Sequence, residues 1–335
     1  MVARHVAQRT VASSLAFLRP TSSRIPTTFT RLASSSSASS SPSPIGVSNP
    51  DAYCRDLVRK KDYESYLIGQ FFPQERQGGY YALKAFAVEL ATVQDNVSDV
   101  TIGRIRMQFW RDAIKGIQAG NAPHHPVALA LATAMQKQYL PAYYLKRIID
   151  ARDNELMTFT HMTSESLVAH AESTSSALLY LQLALLSLSS DNTLSHAASH
   201  LGVAQTLAIL LRALPFHAKH GRMVIPAEIT AKHGVRQEEV FREGPNAKGI
   251  EDAVYEFATL ANDHLITART TLEQESRGDG RVPQIAMPAF LTGVPVANYL
   301  QRLEKANFNA FEPKLQLRDW KLPWHVWRGY YKRMF

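Results

Sequence analysis

Two carboxylates four residues apart on a helix lie on one face, and oxygen donors so placed can share a Mg²⁺ ion. The chain offers that spacing at Asp95 and Asp99 and again at Asp252 and Glu256. Thr101 and Gly103 place the first pair at a failing helix end, where solvated acids are the simpler reading. The second pair sits on a charged helix face. Asp150, Asp153 and Glu155 stand beside Arg152 and read as a surface ion-pair cluster. Among the histidines, His124 and His125 precede a proline in a loop. His196 and His200 have the spacing of a shared metal site, but Ser195 and Ser199 flank them and no carboxylate is near in sequence, so packing is favoured. His161, His170, His217, His220 and His233 have no metalloprotease spacing, and no nucleophile triad, phosphate loop or dinucleotide fingerprint occurs. Cys54 is the one cysteine, which excludes an intrachain disulfide and a cysteine zinc site.

These residues sit on helices. From Pro50 onward the apolar residues recur with helical period, and helices are predicted near 77–97, 102–118, 126–138, 141–158, 164–188, 194–213, 249–275 and 284–304. Ser48-Asn49-Pro50-Asp51 supplies a cap, a proline at the first position and an acid in the first turn. Ile102, Ile105, Phe109 and Ile117 lie on one stripe, with Gly120 beyond the helix end. Segment 194–213 is apolar nearly all round, the pattern of a helix buried centrally in a bundle. Residues 46–335 therefore read as one all-α domain. No uninterrupted apolar run reaches the roughly 20 residues needed to span a bilayer.

The formal charge of +8 invites a nucleic-acid reading. Residues 1–50 carry Arg4, Arg9, Arg19, Arg24 and Arg31 with no acid, which leaves +3 for the rest (32 Lys+Arg against 29 Asp+Glu). That balance excludes a broad phosphate-binding surface, so no nucleic-acid partner is expected. Arg-rich, Ser-rich and acid-free composition marks residues 1–45 as a mitochondrial transit peptide with a Ser-rich linker, Val2 to Leu18 forming a basic amphipathic helix. At the other end, 323–335 form a helix with Trp324, Trp327, Tyr331 and Phe335 on one stripe and His325, Arg328 and Lys332 beside it. Two readings are open there: a helix lying in a membrane interface, or an aromatic stripe packed on the bundle.

Leu201-Gly202-Val203-Ala204, Ile209-Leu210-Leu211-Arg212 and Gly221-Arg222-Met223-Val224-Ile225-Pro226 resemble the second signature of squalene and phytoene synthases. Tyr81 to Phe86, Asp95 and Arg106 to Arg111 resemble the first. The likeness covers most of 50–305 and implies an isoprenoid-synthase-like helical bundle. In those enzymes facing aspartates hold Mg²⁺ against the diphosphate that leaves as a carbocation develops. Here the matching positions carry Ala91 for the first aspartate of the first motif and Val88 for an arginine one turn earlier. In the second motif they carry Ile209 for an asparagine, Ala213 for an aspartate, and Phe216 and His217 for the closing acidic pair. Asp95, Arg106 and Arg212 survive as expected lining of a relict cavity. The resemblance thus implies a scaffold without metal, cofactor or catalysis.

Longer phrases, among them Ala85 to Ala91, Arg106 to Trp110, Ser176 to Leu181 and His196 to His200, resemble the mitochondrial assembly factor 6 family of respiratory complex I. That likeness implies a non-catalytic factor in the matrix, peripheral on the inner membrane, with complex I assembly intermediates or other assembly factors as partners. It also implies a cavity that could hold an isoprenoid-like lipid. The alternative is an active Mg²⁺-dependent prenyltransferase using Asp95 and Asp99.

Overall fold

Asn49 accepts the amide of Asp51 at 3.1 Å and stands before Pro50, so helix α1 (Pro50–Lys61) begins where its cap and proline place it. The computed structural model describes residues 49–97, 99–275 and 281–335. The expected import segment, 1–45, lies outside the described residues. All described residues belong to one unit, Gly46–Phe335. After α1 come α2 (Tyr63–Gly69), α3 (Gln74–Ala91), α4 (Val93–Asn96), α5 (Val100–Gln118), α6 (Pro126–Lys137), α7 (Ala142–Met157) and α8 (Ser164–Ala171). A π-turn, Glu172–Ser176, runs into α9 (Ala177–Leu185). Then follow α10 (Asn192–Lys219), α11 (Ala227–Lys232), α12 (Gln237–Glu243), α13 (Ile250–Glu275), α14 (Met287–Phe290), α15 (Gly293–Lys305), α16 (Pro313–Gln316) and α17 (Leu322–Lys332). Among the described residues there is no strand.

The 28-residue α10 is the axis of the bundle and packs along α13, α9 and the π-turn. It is long and apolar enough to cross a bilayer, yet 50% of that apolar window is buried inside the protein, which marks a core helix. Leu201, Val203, Ala204, Leu207 and Leu211 are buried on it. Gly202 lets α10 touch the π-turn, because a Cβ there would meet the backbone of Ser176. Thr174 donates its hydroxyl to the carbonyl of His170 at 2.8 Å and Ser176 donates to that of Ser199 at 2.7 Å. Local hydroxyls thereby stabilise the wider turn that a regular α-helix would not make. Cys54 is fully buried in the α1 region of the core, and burial pushes its thiol up to about 12.

Two helices turn inward residues that their sequence patterns do not mark as buried. On α5 the residues turned inward are Met107, Trp110, Ile114 and Ile117, with Trp110 edge-on to Phe86 at 5.2 Å. Ile102, Ile105 and Phe109 are 47%, 64% and 41% exposed. The helix carries two adjacent apolar stripes, and the one with the larger continuous run wins the core. The acids of α7 also depart from the surface cluster. Asp153 is buried and bonded by Arg111 at 2.8 Å, Glu155 turns inward beside Arg152, and Asp150 alone stays exposed.

Helix α17 has three faces. Leu322, Val326 and Gly329 are buried against the bundle, and Tyr330 packs on Phe71 at 4.9 Å. Trp324, Trp327 and Tyr331 lie opposite, 60%, 44% and 64% exposed, with the two indoles stacked at 4.8 Å. His325, Arg328 and Lys332 run between those faces. Phe335 does not join the aromatic stripe. Arg333 takes a left-handed φ of 56° that ends the helix, and Phe335 folds back against Gly293 and Phe290.

Candidate functional site

The end of α3 and the start of α4 face α10 across a cavity of about 260 Å³. Ala91 and Asp95 form one wall, and Ile209, Ala213 and His217 form the other at i, i+4 and i+8. The structure thus gathers five of the positions singled out in the sequence. Val88 lies half-buried one turn before Ala91 and is not part of the lining. Phe216 is 51% exposed and contacts the rings of His217 and His220. Arg106 is exposed on α5, between residues of its outer stripe. Arg212 projects from a different face of α10, since neighbours differ by about 100° around a helix. It lines a separate cavity of about 220 Å³ and bonds Glu64. Arg106 and Arg212 therefore do not line this cavity.

Sequence reasoning missed the third wall. Arg152 and Glu155 from α7, His161, and His170 from α8 close the cavity, together with Ser175 of the π-turn. Arg152 donates to Glu155 at 2.6 Å, and His170 Nε2 lies 3.9 Å from the same carboxylate. Burial pushes Glu155 up, but the Arg152 guanidinium outweighs it and holds the carboxyl below its usual value. Burial drives His170 down to about 4, so the ring is neutral. An Arg three residues before a Glu is common on any helix surface, so the sequence marks this pair only as a surface ion pair and not as cavity lining. Glu155, His161 and His170 also border a broader groove of about 1020 Å³ along α7 and α8.

Asp95 is the lone acid between the two motif walls, and Arg222 faces it at 3.9 Å while lying over the Phe159 ring. Asp99 caps α5 by accepting the amide of Thr101 at 2.7 Å, so the two acids belong to different helices. Burial lowers His217, with Asp95 pulling the other way. A Mg²⁺–diphosphate unit needs several anionic oxygens converging from both walls. Ala91, Ile209 and Ala213 offer none, Asp95 and Glu155 are already paired with arginines, and the residues present do not fit that group. The histidine pair on α10 has a third member. His200 Nδ1 lies 2.9 Å from His264 Nδ1 of α13 and its Nε2 lies 3.2 Å from His196 Nε2. The three rings form a hydrogen-bonded row through different nitrogens, and among the described residues no group of three or more metal-type ligands converges.

The squalene/phytoene synthase family model matches residues 58–328. The rat protein named NADH dehydrogenase (ubiquinone) complex I, assembly factor 6 is 41% identical over 83% of this chain and 81% of its own length. Its human counterpart is 38% identical over 85% of this chain and 84% of its own. A crystal structure of a dehydrosqualene synthase with ligand superposes with a TM-score of 0.69 at 17% identity, covering 83% of this chain and 94% of that one. The last likeness establishes the isoprenoid-synthase-like fold, and the others establish the lineage. The chain belongs to the squalene/phytoene synthase family, in the branch of the complex I assembly factor 6 proteins.

Proposed function

We propose that the chain is a non-catalytic member of its family that serves assembly of mitochondrial respiratory complex I. The observation that carries this reading is the pair of facing walls with Ala91, Ile209, Ala213 and His217 where prenyl synthases need metal-binding groups. The names of its relatives, complex I assembly factor 6, agree with it. The Arg-rich, acid-free start supports import into the matrix. The outward aromatic face of α17, with bases beside it, supports a peripheral seat on the inner membrane. The exposed stripe Ile102, Ile105 and Phe109 is the face offered to assembly intermediates or other factors. An isoprenoid occupant is not part of the proposal, since about 260 Å³ falls below the roughly 300–1,000 Å³ of most small-molecule sites. The prenyltransferase alternative is not favoured, because Asp99 is spent as a helix cap.

Deleting the gene and resolving respiratory complexes on a native gel tests the reading. Loss of assembled complex I is expected, with rescue by an Asp95→Asn variant. Normal complex I, or pyrophosphate release from prenyl diphosphates by the purified protein, would overturn it.

A further inference from the structure

Another cavity, of about 360 Å³, lies under the basic face of α17, between it and α13 and α15. Four of its lining side chains are basic types: Arg269 from α13 and His325, Arg328 and Lys332 from α17. No aspartate or glutamate is among the described lining residues. His325 has Asp319 at 3.7 Å, whereas Arg328 and Lys332 form no ion pair among the described residues.

Arg269 is the telling member. Its Nε is buried and has no hydrogen-bond partner, and its guanidinium lies over the Phe335 ring at 5.7 Å. Burial pushes it below its usual value, with only Glu273, one turn further on α13, pulling the other way. A guanidinium with a buried nitrogen short of a partner is costly unless an anion completes it. Its planar fork suits the oxygens of a phosphoryl group. On the face of α17 next to these bases, Trp324, Trp327 and Tyr331 are exposed and point away from the bundle. Amphipathic rings of this kind settle at headgroup depth in a bilayer. A membrane meeting them would bring its phosphates to the mouth of the cavity.

We propose that this cavity binds the phosphoryl headgroup of an anionic membrane lipid, with Arg269 at its floor and Arg328 and Lys332 at its mouth. The proposal rests on the peripheral membrane seat proposed above. It adds a specific lipid-recognition site to a general surface attraction.

Co-sedimentation of the full chain with vesicles separates the two. Vesicles of phosphatidylcholine alone are compared with vesicles that also contain phosphatidylglycerol. Arg269→Gln should lower affinity for the anionic vesicles about tenfold and leave the weak partition onto neutral ones unchanged. Its melting temperature should equal or exceed that of the natural chain, since a half-buried guanidinium with an unpartnered nitrogen is removed; a residue needed only for packing would lower it. If Arg269→Gln fails to fold, Arg328→Gln with Lys332→Gln carries the same expectation. Trp324→Ala with Trp327→Ala should weaken binding to both vesicle types. Unchanged anionic-vesicle binding in the arginine and lysine variants overturns the headgroup site and leaves the membrane seat standing. Unchanged binding in the tryptophan variant overturns the membrane seat itself. Thermal protection by inorganic phosphate alone, without preference for anionic vesicles, assigns the cavity to a free anion and overturns the lipid source.

Discussion

In the cavity between α3 and α10, Arg152 bonds Glu155 and Arg222 faces Asp95, so each cation there already has its anion. Along α17, Arg328 and Lys332 stand beside exposed tryptophans, and Arg269 beneath them has a buried nitrogen without a partner. The first region resembles an active site by its place in the fold, yet its electrostatics are closed within the protein. The second has no counterpart among the motifs, yet its charges are incomplete. Recognition of a charged ligand requires uncompensated charge in a site that is already shaped, and here that condition is met away from the ancestral centre.

Substituting one arginine in each region sharpens the contrast most. Arg152→Ala leaves the inward-turned Glu155 without its main partner and should cost about 3 kcal/mol in chemical denaturation. Arg328→Ala, exposed and without an ion pair among the described residues, should change stability by less than about 0.5 kcal/mol. Equal effects would remove the distinction. A pH titration of stability probes the closed region next. His170 has a folded-state value of about 4, below the 6.5 of the free side chain. Its neutral ring therefore contributes fully above about pH 6.5, and on the order of 3 kcal/mol is lost as pH falls toward 4. His170→Gln should flatten that slope; an unchanged slope would mean that His170 is not the group responsible.

A smaller effect belongs to the open region. Trp324→Ala should weaken vesicle binding on the order of tenfold while leaving the melting curve in place, because the indole is 60% exposed. A falling melting temperature would show instead that the stripe packs on the bundle. The smallest effect expected is a null one. Millimolar Mg²⁺ with pyrophosphate should shift the melting free energy by less than about 0.5 kcal/mol, and a clear stabilisation would reopen the first region as a metal site.

How far the sequence could be read follows from what each residue had to satisfy. Local rules placed Asn49 and Pro50 at the start of α1, and near-continuous apolarity placed α10 in the core, because both signals are complete within one segment. The motif spacing brought Ala91, Asp95, Ile209, Ala213 and His217 to one cavity. Orientation around a helix was harder. On α5 two apolar stripes differ by a single step in register, and the one with the longer run goes inward, where Trp110 meets Phe86. Arg212 looked like cavity lining by adjacency to Ala213, although one residue of rotation sends it to Glu64. His170 and Arg269 depend on contacts between segments far apart in the chain, and the local Arg152–Glu155 pairing says nothing of its inward turn, so no local pattern announced these roles.

The buried thiol of Cys54 gives the protein an internal clock. Held at about 12 and shut off from solvent, it cannot meet an alkylating reagent until α1 parts from its neighbours. As the chain has no other cysteine, the rate at which it gains one alkyl group counts those openings directly. Mass spectrometry of that single label, with and without vesicles, would tell whether docking at α17 is felt at the opposite end of the sequence.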